Sequence, residues 1–163
     1  MDAGTVLKVV HALLGILVVA ALVGRWTTLI QASRTTDIAA VHTLLGLSDR
    51  FEWMAIRIPP VVLILGIATA IAQGRPFLGP FQGAGFDWLF VSIVIYLSVI
   101  PVIPIVFLPR GRVFAAALDE ATGLGTVTPA LTAAFRDPVV FAAHAYELTV
   151  ILVVFVLMIT KPF

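Results

Sequence analysis

The chain has 163 residues, 61% of them hydrophobic and only 12% charged, and its mean hydropathy is +1.12, so it lacks the polar surface of a soluble domain. Its formal charge of +1, with ten basic residues scattered along the chain, excludes an electrostatic nucleic-acid surface. The absence of cysteine excludes disulfides, thiolate metal sites and a cysteine nucleophile.

Charges are costly near a bilayer centre, so charge-poor runs mark the spans. The first run lies between Lys8 and Arg25 and predicts a span over about residues 6–24. Residues 9–23 also have the length of a signal-peptide core, but MDAGTVLK lacks a strongly basic start, so a retained helix is expected. In the connection that follows, Asp37 can cap a helix on which Ile38, Val41 and Leu45, and Leu44, Leu47 and Phe51, recur at helical spacing.

The second run, between Arg57 and Arg75, predicts a span over 57–73 with Pro59 and Pro60 at its start. GRPFLGPFQGAGFD, residues 74–87, reads as a turn. The third run predicts a span over 88–108 in which Pro101 and Pro104 each remove a backbone donor and bend the helix. GRVFAAALDEA continues it, TGLG at 122–125 breaks it, and Thr128 with Pro129 starts a short helix. The fourth run predicts a span over 139–160. The expected fold is thus all-α: a single-domain (1–163) integral membrane four-helix bundle whose helices extend into the cytoplasmic connections. Small residues four apart, Ala20 with Gly24 and Gly66 with Ala70, permit close helix approach.

Orientation follows from the connections. Arg25, Arg34, Arg50, Arg57, Arg110, Arg112 and Arg136 fall on one side, and Lys8, Arg75 and Lys161 on the other, which predicts both termini outside.

Few polar residues sit inside the runs, and these are the candidate site residues. At 1.5 Å rise per residue, His11 lies about 9 Å from the outer end, Glu147 about 20 Å, His144 about 24 Å and Arg57 about 25 Å. Glu147, the one acidic residue in any run, is expected to be neutralised by Arg57 or Arg25, with His144 and Tyr146 completing a polar network. His144 and Glu147 share a helix face at a spacing used in di-metal bundles, but in reversed order and without further carboxylates. His11 is a candidate single ligand for a haem, with Lys8 beside a carboxylate or propionate of the cofactor. Pairing His11 with His144 on one iron is disfavoured by the roughly 15 Å between their depths. His42 falls in the cytoplasmic connection and reads as a surface or interface residue. No phosphate loop, nucleophile elbow or HExxH pair is present, so no catalytic residue is assigned.

LKVVHALLGILVVAALVG (7–24), DRFEWMAIRIPPVVLILGIATA (49–70) and the ending VFVLMITKP (154–162) resemble an uncharacterised bacterial integral membrane family, domain of unknown function 2269. The resemblance implies four spanning helices, Lys8 and His11 in a Lys-x-x-His start, Met158, Lys161 and Pro162 in a Met-x-x-Lys-Pro end, and a bacterial inner-membrane location; it implies no activity. The first helix is more distantly similar to those of four-helix copper-resistance membrane proteins and membrane-bound protoporphyrinogen oxidases. GRWTTLIQ (24–31) lacks the aromatic, proline and histidine pattern of such an oxidase, which argues against that chemistry.

The expected function is therefore non-catalytic: an accessory or assembly subunit of a larger membrane complex of respiratory or photosynthetic type, in contact with lipid and other integral membrane subunits. The alternatives are a haem- or quinone-linked redox protein using His11, with haem b as the cofactor, and a small-solute or proton carrier centred on Glu147 and the kink at Pro101 and Pro104.

Overall fold

A computed structural model describes residues 3–162, and among these residues the chain is helical with no strand. Helix α1 runs Ala3–Ala32, about 45 Å at 1.5 Å per residue, well beyond the hydrocarbon thickness of a bilayer. Helix α2, Ile38–Ala72, is longer still. Asp37 caps it, its side chain accepting from Ala39 N at 3.0 Å. The helix expected after Asp37 and the second span are thus one continuous rod that passes through Pro59 and Pro60. Two missing amides leave carbonyls of the preceding turn without donors. The Tyr96 hydroxyl donates to Pro59 O at 2.8 Å, which ties α2 to the third apolar run here without replacing the lost bonds, whose carbonyls are those of Ala55 and Ile56.

α1 and α2 form an antiparallel pair that packs along most of its length. Gly24 leaves the notch into which the Phe51 ring fits: a Cβ at Gly24 would lie 2.6–2.7 Å from three atoms of that ring. Gly24→Ala is expected to force the ring out and to destabilise the protein by about 1–3 kcal/mol, the usual cost of overpacking, outweighing the helix-propensity gain of alanine. Thermal unfolding in detergent should show a clear loss, whereas Gly46→Ala, with nothing within 4 Å of the added atom, should show none.

After a 3-10 turn at Gly79–Gln82, helix α3 spans Trp88–Leu97. Asp87 caps it, accepting from Phe90 N at 2.8 Å. Ten residues give about 15 Å, half of a bilayer core. The third apolar run is therefore not the single regular helix expected over 88–108. Beyond Leu97 the chain turns, forms a π-helical turn at Ile103–Phe107, and becomes α helix again in α4, Leu108–Leu124. Pro101 and Pro104 explain the break, since neither can donate to an α ladder, and the widened turn lets Leu108 N reach Ile103 O. Gly125, at φ +68°, ends α4.

Helix α5, Pro129–Phe135, begins at a Thr128 side-chain cap, and helix α6, Pro138–Thr160, at Asp137, whose carboxylate accepts from Val139 and Val140 N–H. Asp137 also pairs with Arg110, tying α6 to α4.

Three stretches are long and apolar enough to cross a membrane: α1, α2 and residues 129–160, which take in α5 and α6. Their outer faces are apolar, with Leu13, Ile64 and Ile159 each more than half exposed. A folded chain that turns such side chains outward is suited to lipid as its solvent. Three buried clusters lie along the long axis. Ala70, Trp88 and Leu89 sit at one end, Val18, Leu22, Val62 and Ile151 in the middle, and Val41, Ala117, Ala121 and Leu131 at the other end. At that last end His42 is exposed and its Nε2 lies 2.9 Å from Thr122 Oγ1, joining α2 to α4.

Candidate functional site

Two polar features interrupt the apolar interior, separated by the middle cluster. The first is a buried ion pair. Arg25 follows Val18 and Leu22 on the inner face of α1 at helical spacing, and Glu147 precedes Val150 and Ile151 on the inner face of α6. Their side chains meet: Arg25 Nη2 donates to Glu147 Oε2 and, at 3.0 Å, to Nδ1 of His144. Arg25 and Glu147 are each only 7% exposed and His144 8%, so the pair is held away from water.

The surrounding rings close the site. Phe107, carried by the π turn, lies 4.9 Å from the His144 ring and 5.4 Å from the Arg25 guanidinium, and Trp26 lies on His144 at 6.4 Å. Because Nδ1 accepts from Arg25, the proton of a neutral His144 belongs on Nε2. Arg25 Nε is buried and without a hydrogen bond among the described residues.

Arg57, the other candidate partner for Glu147, is elsewhere. It is exposed on α2 and stacks over Trp53 at 5.0 Å, because its position faces outward while Arg25 faces Glu147 across the bundle. Tyr146 points away from its neighbours His144 and Glu147: it is 41% exposed, and its hydroxyl lies 2.6 Å from Ser98 Oγ where α3 ends. No group of three or more potential metal ligands among His, Asp and Glu converges among the described residues, so the paired side chains of α6 gather no further carboxylates around them.

The second feature is a cavity of about 450 Å³ between α1, α2, α3 and α6 at the end opposite Arg25. This is within the range of pockets that bury small organic molecules. Its walls are apolar, among them Gly15, Val18, Ile67, Phe155 and Met158. Two ionisable side chains stand inside the walls: Tyr96, whose hydroxyl donates to Pro59 O, and His11. His11 Nδ1 lies 3.0 Å from Val62 O, which as a carbonyl can only accept, so Nδ1 carries the proton. Nε2 is left with a lone pair, able to accept a hydrogen bond or to bind a metal, in the orientation that a carbonyl-anchored histidine ligand adopts. The ring is seated by Gly66, where a Cβ would lie 2.9 Å from His11 Cε1. Lys8, Arg75 and Lys161 surround the cavity at the same end.

The sequence pointed to His11, Lys8, Arg25 and Glu147 one residue at a time, but not to the cavity. Arg75, Trp88 and Lys161 come from three separate elements and share no motif; a third basic residue at the same membrane edge was the signal available.

The helical architecture, its three membrane-capable stretches and its lipid-facing side chains define an integral membrane protein. The family of predicted integral membrane proteins described as domain of unknown function 2269 matches residues 5–162, and the chain belongs to it. No curated protein and no solved structure matches it.

Proposed function

We propose that this chain is a non-catalytic, four-span membrane protein that holds an amphipathic organic molecule in the His11 cavity, and that it serves as an accessory subunit of a larger membrane complex. The third crossing is made by α3 and the irregular segment to Leu108 together. The observation that carries the reading is the cavity itself: an apolar chamber with one correctly anchored imidazole acceptor inside and cations around it. The distribution of lysines and arginines favours both termini outside, which opens the cavity in the outer leaflet, and the family resemblance favours a bacterial inner membrane.

A haem or a quinone would use the site in different ways. A haem b iron would take His11 Nε2 as its one protein ligand, since His144 is engaged by Arg25 and the Val18, Leu22, Val62 and Ile151 layer stands between the histidines. A quinol would donate a hydroxyl to the same nitrogen. The anchored tautomer supports both, and neither requires a catalytic side chain.

Gently extracted protein should contain a small molecule recoverable by organic solvent, at a level that His11→Ala reduces at least tenfold while thermal unfolding stays cooperative. A Soret band lost in His11→Ala identifies haem; a colourless preparation with an extractable quinone identifies the other. Protein that carries no molecule in either form, and binds none when offered haem or a quinone, removes the reading. Co-purified membrane subunits identify the complex, and a chain recovered alone from crosslinked membranes counts against the accessory role.

A further inference from the structure

Resting on the cavity reading above, we infer that the ligand carries an anionic head: one apolar chain or ring system ending in a carboxylate or phosphate, drawn from the surrounding bilayer. Three cations from three parts of the chain surround the cavity: Lys8 from α1, Arg75 from the turn after α2, and Lys161 from the end of α6. Any one of them could be an interfacial anchor for its own helix. Their arrangement asks for more than that.

Arg75 and Lys161 both rest on the same indole, with the guanidinium carbon 5.7 Å and the ammonium nitrogen 5.5 Å from the centroid of Trp88. Trp88 is buried at the first turn of α3 and packs with Ala70 and Leu89, so the platform is fixed. All three side chains are exposed at this edge, so their mutual repulsion is screened, but together they make the cavity mouth positive. Among the described residues nothing neutralises them: no aspartate or glutamate lines the cavity, and none of the three cations has an ion pair. Asp87, next to Trp88, has its carboxylate turned to the start of α3, where it accepts from Phe90 N.

Lys161 adds an independent sign. It is the C-cap of α6 and stands at φ +45°, the one non-glycine residue with positive φ among the described residues. Glycine is the usual occupant of a left-handed helix end because side chains are strained there. A lysine tolerated in this conformation, with its ammonium on Trp88, is accounted for if that charge is needed at the cavity. An anionic head at the cavity mouth is attracted by all three cations, and its chain then lies along the apolar wall past Gly15 and Phe155 toward Val18.

The test uses full-length protein in neutral detergent, stripped of lipid, with binding followed by native mass spectrometry. Oleate is compared with methyl oleate, which keeps the chain and lacks the charge, and with inorganic phosphate, which keeps a charge and lacks the chain. Oleate should bind at least tenfold more tightly than methyl oleate, with an affinity that falls as salt rises. In Arg75→Gln/Lys161→Gln the two probes should become equal within about twofold, through loss of oleate binding alone. Equal binding of the two probes to the unmodified protein would overturn the anionic head and leave the cavity standing. Phosphate binding as tightly as oleate would overturn the tailed ligand. Binding of none of the three would overturn this inference, and the haem and quinone trials then decide the cavity reading separately.

Discussion

Glu147→Leu is expected to be the most damaging single substitution in the membrane interior, at about 3–5 kcal/mol, because it leaves the Arg25 guanidinium buried without its carboxylate. The attraction within the pair does not set this number. Taking both charges out of water costs nearly what their contact returns, so the loss comes from stranding one of them. Arg25→Met should be similarly harmful, since it strands Glu147 and removes the donor to His144 Nδ1. The double variant Arg25→Met/Glu147→Leu should recover most of the loss, placing two apolar side chains of fitting volume against Phe107 and the middle cluster. A double-mutant cycle on detergent unfolding midpoints measures this coupling. Additive losses would show that the two residues act independently.

The second large effect is expected on ligand retention. Gly66→Ala places a methyl group 2.9 Å from His11 Cε1, at the end of a side chain that can turn away. Stability should change little, since alanine is the better helix former and the ring can yield. Binding should not survive as well. A displaced ring loses its bond to Val62 O, and with it the fixed tautomer that leaves Nε2 free, so retained ligand should fall at least tenfold. Gly66→Ala with unchanged melting and reduced ligand, beside Gly24→Ala with reduced melting, would separate the binding role of one small-residue contact from the packing role of the other. Equal ligand retention in Gly66→Ala and the unmodified chain would remove His11 from the site.

Much of this fold was legible in the sequence, and the reasons are local. Hydropathy and the placement of charges located the apolar runs, because insertion costs act residue by residue. Asp37 and Thr128 open helices as expected, each accepting from the first turn that follows, while the cap at Asp137 came from the structure. The double proline was less informative than it looked. Pro59 and Pro60 mark no boundary: α2 runs straight through them, with Pro59 O also accepting from the hydroxyl of Tyr96, 37 residues away. Pro101 and Pro104 did mark a break, but its form, a π turn that sets Phe107 against Arg25 and His144, depends on what packs there.

The sequence by itself determined that the chain is helical and membrane-embedded, and that its one acidic residue within an apolar run must find a cation. Both conclusions follow from free energies that each residue carries with it: the cost of an unsatisfied amide in lipid and of an unpaired charge in hydrocarbon. Only the tertiary structure decided which cation it would be. Phe51 packs beside Gly24, next to Arg25, so Arg57 stands six residues, about 9 Å, further along α2, and it faces out over Trp53 rather than toward Glu147. The cavity was likewise beyond the sequence, since it is the space left between four elements and Trp88 gathers its cations from segments more than 80 residues apart.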